Sequence, residues 1–144
     1  MAEERRRDAT NVVVRDKAGR VLLFRRDNKP NIPYPDFYDA LGGVVEDGET
    51  AQEGAIREAL EEGGVVLDPA KLRLSVVYRW PNQTEWNFAY MEPIEVDTEA
   101  WTPTEGQGIE WHTPEEIADF DGFGARIMPR TRQGILHVLF GTAE

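Results

Sequence analysis

The 144-residue chain reads as a single α/β domain, an α/β/α sandwich around a mixed β-sheet. Three observations predict it. Strand-like runs alternate with only two or three helical stretches, which calls for a sheet covered on both faces. The length suits one hydrophobic core and not two, and no repeat, low-complexity tract or linker divides it. Hydrophobic residues make up 40% of the chain and charged residues 30%, the balance of a globular protein rather than a disordered one.

The elements follow in order. Residues 1–8, with the run Arg5-Arg6-Arg7, read as a flexible, solvated tail. Residues 10–15 and 21–26 are apolar and β-branched around a turn carrying Gly19, which predicts a β-hairpin. Residues 27–43, rich in Pro, Asn, Asp and Gly, read as a loop too long to be idle in a small domain. Residues 50–62 predict a helix. Thr50 and Glu53 fit a capping box, Ala51, Ala55, Ala59 and Leu60 give the packing side, and Gly63-Gly64 ends it. Residues 72–80 and 85–93 form a second hairpin around Pro81-Asn82-Gln83-Thr84. Residues 109–112 read as a short strand. Thr113 then caps a helix over 114–118 with Pro114 at its first position, and residues 130–140 have helical spacing at Ile135, Val138 and Leu139.

Composition narrows the function classes. The absence of cysteine excludes disulfides, zinc–thiolate sites and thiol nucleophiles, and makes the cytoplasm the default location. No apolar run is long enough to cross a bilayer, so no membrane partner is expected. A formal net charge of -11 argues against a nucleic-acid backbone as partner. An acidic protein still handles polyphosphate if metal ions neutralise a cluster of its carboxylates.

Such a cluster stands within residues 43–65, GVVEDGETAQEGAIREALEEGGV. Glu58 precedes Glu61 by three positions and Glu62 by four, so the three carboxylates share adjoining parts of one helix face. Like charges at that spacing cost a helix a few tenths of a kcal/mol per pair, about as much as a favourable pair gains. EALEE alone reads as a solvated acidic face. Bound by hard, oxygen-seeking cations such as Mg²⁺ or Mn²⁺, the same face becomes a catalytic device.

The whole segment resembles the Nudix box. Gly43, Glu49, Arg57, Glu58, Glu61, Glu62 and Gly64 fill its fixed identities, Val65 its aliphatic slot, and Ala59 its apolar slot with a smaller residue than usual. Seven fixed identities should coincide by chance in roughly one chain per million of this length. The resemblance extends from Val12 to Ile117 and is closest to MutT-like members, although only the box is specific.

That resemblance implies a Nudix-type sandwich with the box on a loop–helix–loop. It also implies roles. Glu58, Glu61 and Glu62 would hold the metal, with the Gly42 carbonyl as a further ligand. Arg57 and Glu49 would pair to brace the loop, with Gly43 and Gly64 as structural supports. Arg26 matches a position that touches substrate phosphate, and it also reads as a plain charge at a strand end. Asp39, Ala40 and Leu41 stand where such members line the base pocket, Leu41 replacing the usual proline. Glu105, in TEGQGIEWHTPEEI, matches a loop glutamate that reaches the metals, and Glu58 and Glu105 are the alternatives for general base.

The implied activity is hydrolysis of the pyrophosphate bond of a nucleoside diphosphate linked to another group. The surroundings favour a (deoxy)nucleoside triphosphate, cut to monophosphate and pyrophosphate. ADP-ribose or a nucleotide sugar is the alternative substrate, and a non-catalytic nucleotide-binding module the alternative class. Pro81 stands near a proline of ADP-ribose hydrolases, but reads first as a turn residue. The aromatics Tyr34, Tyr38, Trp80, Trp86 and Phe88 read as core, with base stacking as their other use. Isopentenyl diphosphate isomerases on the same fold need a catalytic cysteine, which this chain lacks. RNA decapping is disfavoured by the negative balance. The expected partner is a small nucleotide, and a homodimer is compatible with the sequence.

Overall fold

The computed structural model describes residues 7–102 and 104–141. Strands β1 (Ala9–Val14), β2 (Val21–Arg25), β3 (Tyr38–Asp39) and β4 (Leu41–Val44) precede helix α1 (Ala51–Gly63). After it come β5 (Arg73–Arg79), β6 (Glu85–Met91) and β7 (Gly108–His112). The chain closes with α2 (Pro114–Ala118), a 3₁₀ turn (Phe123–Arg126) and α3 (Pro129–Phe140).

The strands form a mixed four-stranded sheet, β4-β1-β6-β5, and a three-stranded antiparallel sheet, β3-β2-β7. In the first, β1 runs parallel to β6 and antiparallel to β4. Alternate residues of β1 and β2 enter opposite cores. Val12, Val14, Leu22 and Phe24 join Leu41, Ala55 and Ala59 on the α1 side. Val13, Val21 and Leu23 join Ile117, Ile127, Ile135 and Leu136 on the side of α2 and α3. A strand buried on both faces needs apolar residues in succession, which the runs VVV and VLLF provide. Each such fully buried side chain contributes about 1.5–3 kcal/mol. The α/β/α sandwich expected from the sequence is therefore the architecture found.

Four local expectations are corrected. The segments at 10–15 and 21–26 do not pair as a hairpin. Both edges of β1 are taken by β4 and β6, so β2 leaves for the other sheet, and only an Arg15–Val21 bridge and the Asp16–Arg20 turn join them. The loop over 27–43 is shorter than read, because its last third supplies β3 and the start of β4. Leu60 is half exposed rather than packed, since the stripe facing the sheet is made by Gly54, Ala55, Ala59 and Gly63. Of the tail over 1–8, residues 1–6 lie outside the described residues, but Arg7 and Asp8 are tethered. Asp8 accepts from the N–H groups of Val45 and Glu85, and Arg7 donates to the Val45 carbonyl.

Other elements form where the sequence puts them. The β5–β6 hairpin turns at residues 81–84, and capping boxes close on Thr50/Glu53 and Thr113/Glu116. Among the described residues, no helix is long and apolar enough to cross a membrane.

Candidate active site

The site is built where β4 runs beneath α1. Thr50 caps α1 at one end and Gly64, in the left-handed conformation at φ 63, closes it at the other. Gly42 has φ 151, and a Cβ there would lie 2.0 Å from the Thr10 carbonyl oxygen. At Gly43 a Cβ would lie 1.9 Å from Oε2 of Glu58, so the glycine leaves the space that this carboxylate fills. The Gly42-Gly43 pair thus lets the helix carboxylates lie directly on the strand backbone.

Glu62 points into this junction, and its Oε1 accepts the Gly42 N–H at 2.8 Å. Burial pushes its carboxyl up to about 8; the Gly42 bond opposes the shift, and Asp39, Glu58 and Glu105 add repulsion. Burial also raises Glu58, against the pull of Arg57 and with the push of Glu61, Glu105 and Glu46. Glu105, exposed in the loop before β7, therefore faces the same cluster although 43 positions separate it from Glu62 in the sequence. Glu61 is exposed and accepts from Arg57 at 3.1 Å.

Arg57 is the counter-charge. Its Nε and one terminal nitrogen donate to the two oxygens of Glu49 at 2.8 and 3.0 Å, a bidentate pair, and a further bond reaches the Val44 carbonyl. Glu49 also accepts from the Glu46 N–H. These contacts hold Glu49 below the usual carboxylate range and raise Arg57. The arrangement fits a brace between the loop after β4 and the helix. Arg57→Ala should accordingly lower kcat by about 10- to 100-fold while changing KM much less, since oriented ligands and not substrate contacts are lost. Steady-state kinetics read the split, and a pure KM effect contradicts it.

Among the described residues, no three Asp, Glu or His side chains converge as a finished cation cage. Glu61 is turned onto Arg57, and Glu62 is engaged by the Gly42 N–H. The donor set nevertheless fits a hard divalent cation. It is all oxygen, it includes a carboxyl raised by burial and by three acidic neighbours, and a bound cation would relieve that repulsion as a proton does.

Beside the cluster lies a pocket of about 320 Å³, bordered by Asn11, Tyr34, Asp39, Gly43, Trp86 and Arg130. Of the residues expected to line a base pocket, only Asp39 faces this space. Ala40 and Leu41 are buried, at 2% and 0% exposure, one in each core. Their side chains are corrected to packing residues, because the chain passes here from β3 in one sheet to β4 in the other and the two successive side chains enter opposite cores. Arg26 is turned onto its own loop, donating to the carbonyls of Pro33 and Tyr34. It bears on the pocket through Tyr34.

Of the aromatics, Tyr38, Trp86 and Phe88 are buried, as read, whereas Tyr34 is exposed at the pocket. Pro81 sits in the hairpin turn. Three features went unread. Asn11 donates to the carbonyls of Ala40 and Leu41 and accepts from the Trp86 indole N–H, fixing the pocket floor. Trp101 donates to the Glu62 carbonyl and packs on Gly64. Met128–Thr131 supply a wall of the pocket. Each rests on contacts across tens of residues, for which local spacing holds no signal.

Fold and site together define the class: an α/β sandwich with a helix-borne carboxylate centre at the mouth of a small-molecule pocket. The chain belongs to the NUDIX domain family, whose model matches residues 5–131. It is 30% identical over 109 residues to a Nudix hydrolase of Deinococcus radiodurans, covering 74% of this chain and 63% of that protein. It is also 30% identical over 110 residues to a putative 8-oxo-dGTP diphosphatase of Bacillus subtilis, covering 76% and 68%. The chain thus spans less than two thirds of the length of the Deinococcus relative. The fold is shared with a MutT protein of Methanosarcina mazei, at TM-score 0.71 and 18% identity over 96% of both chains. It is shared equally, at TM-score 0.71 and 18% identity, with a bifunctional NMN adenylyltransferase/ADP ribose pyrophosphatase of Francisella tularensis solved with AMP and a manganese ion. That match covers 96% of this chain and 42% of the other.

Proposed function

We propose that the chain is a pyrophosphohydrolase that hydrolyses the pyrophosphate bond of a nucleoside diphosphate linked to another group, using Mg²⁺ or Mn²⁺. The preferred substrate is a (deoxy)nucleoside triphosphate, cut to the monophosphate and pyrophosphate. The observation that carries this reading is the mutual repulsion of Glu58, Glu62 and Glu105, only partly offset by Arg57, beside a pocket that opens along Gly42 and Gly43.

Glu58, Glu61, Glu62 and Glu105, with the Gly42 carbonyl, would hold the metal. Bound there, it would supply charge to the phosphate oxygens and lower the pKa of an attacking water. The chain's own part is positional. Arg57 and Glu49 keep the helix glutamates aligned with the loop, and Glu58 or Glu105 takes the proton of the water. Tyr34, Asp39 and Trp86 border the space for the base, the carboxylate of Asp39 offering an acceptor for its N–H groups. The Bacillus relative's name, an 8-oxo-dGTP diphosphatase, supports a triphosphate. The manganese ion of the Francisella protein supports the metal, and its ADP ribose pyrophosphatase activity keeps that substrate as the alternative.

A panel of nucleoside triphosphates, oxidised dGTP, ADP-ribose, UDP-sugars and dinucleoside polyphosphates, with products identified, tests the reading. A triphosphate should give the highest kcat/KM and release pyrophosphate. Release of single phosphate, or no turnover of any member with Mg²⁺ or Mn²⁺, sinks it.

A further inference from the structure

We propose that Gln107 is a positioning residue, which staples the Glu105 loop to Asp36 and so holds Glu105 over the glutamates of α1. The inference rests on the reading of Glu105 as a member of the catalytic carboxylate set. Residues 104–107 form neither helix nor strand, and Glu105 itself is exposed. Its carboxylate faces Glu58 and Glu62, and whichever of them is ionised repels it, which would drive an untethered loop outward.

Gln107 opposes that force with three hydrogen bonds. Its Nε2 donates to Oδ1 of Asp36 at 2.7 Å and to the Arg26 carbonyl at 2.8 Å, and its backbone N–H donates to the Arg25 carbonyl at 2.8 Å. Asp36 is itself immobilised. It accepts from Nε of Arg25 at 2.8 Å and from Arg126 at 3.0 Å, and its N–H donates to the Asp27 carbonyl. Its backbone is left-handed, at φ 61, a conformation that such a set of partners sustains. The Arg25 bond first, and then that of Gln107, keep its carboxyl below the usual carboxylate range.

Gly106 completes the seat. Its φ is 81, and a Cβ would lie 2.2 Å from the Phe24 ring, so the loop lies flat on the end of β2 at the residue next to Glu105. Three separate segments, the end of β2, the loop before β3 and the 3₁₀ turn, thus converge on Asp36, and Gln107 connects them to the loop of Glu105. Neither Gln107 nor Asp36 borders the pocket, so their effect reaches the reaction through Glu105.

The test is a double-mutant cycle in the metal-loaded enzyme. Gln107→Met keeps the side-chain length and the backbone bond but removes both side-chain donors. It should lower kcat about tenfold with KM changed less than about twofold and the melting temperature nearly constant. Glu105→Gln should lower kcat further, and the double variant should be no slower than Glu105→Gln alone. Independent, multiplicative losses overturn the proposal, as does a kcat loss that follows lost thermal stability. If Glu105→Gln is deep and Gln107→Met silent, the positioning role is wrong and the reading of Glu105 stands. If Glu105→Gln is itself silent, both fall.

Discussion

Replacing Glu62 by Gln should lower kcat by about a hundredfold or more while making the protein more stable at alkaline pH. The two effects have one cause. The carboxyl of Glu62, raised to about 8 from the ordinary 4.5, is disfavoured as an anion in the folded state. Between those values the unfolded chain gives up the proton while the folded chain keeps it, so folding stability falls as pH rises. It is fully present below about 4.5 and the loss is complete above about 8. Glu62→Gln still accepts the Gly42 N–H and has no charge to desolvate. Its stability should match the parent near pH 4 and exceed it at pH 9 by roughly 2–4 kcal/mol, a discounted conversion of the shift. Thermal unfolding across that range checks the sign. Glu58→Gln should share the catalytic loss. Glu53→Gln is the control, on the same helix but in the capping box, where an amide oxygen still accepts the Thr50 N–H, and should cost at most a few tenths of a kcal/mol and little turnover. If Glu53→Gln and Glu62→Gln turn over alike, the carboxylates of α1 are only a solvated face.

Stripping the metal should have an effect of the same order or larger. Activity is expected to vanish with EDTA and to return with Mg²⁺ or Mn²⁺, because oxygen ligands of this kind bind such ions reversibly and more tightly with substrate phosphates present. The ion should also raise the melting temperature more at pH 8.5 than at pH 5.5. At the lower pH, Glu62 keeps its proton and the cation must displace it. Glu62→Gln should lose much of that difference. Full turnover in a metal-free preparation contradicts the mechanism, whereas turnover that returns without the pH-dependent stabilisation removes Glu62 alone from the ligand set.

The sequence by itself determined the sandwich, the family and the helix that carries the glutamates. These rest on local physics: the 3.6-residue period that brings Glu58 and Glu62 together, the reciprocal caps of Thr50 and Glu53, and apolar runs in β1 and β2 that only a doubly covered strand can bury. Spacing could not show how deep each glutamate would lie. The order of 61 and 62 in sequence says nothing of why Glu61 faces solvent and Arg57 while Glu62 meets the Gly42 N–H. That difference comes from which stripe of α1 meets the sheet, the one carrying Gly54, Ala55, Ala59 and Gly63.

Strand partnership was also decided above the local level. β1 and β2 look like a hairpin because they are adjacent in sequence, but a strand has only two edges, and β4 and β6 occupy both of those of β1. The same tertiary choice buries Ala40 and Leu41, leaves Asp39 at the pocket, and brings Trp101 and Met128 to a site encoded mainly at residues 42–64. Local pattern reports the residues that share one helix or strand, because their spacing is fixed by its geometry. The contacts made across tens of residues exist only once both sheets have closed.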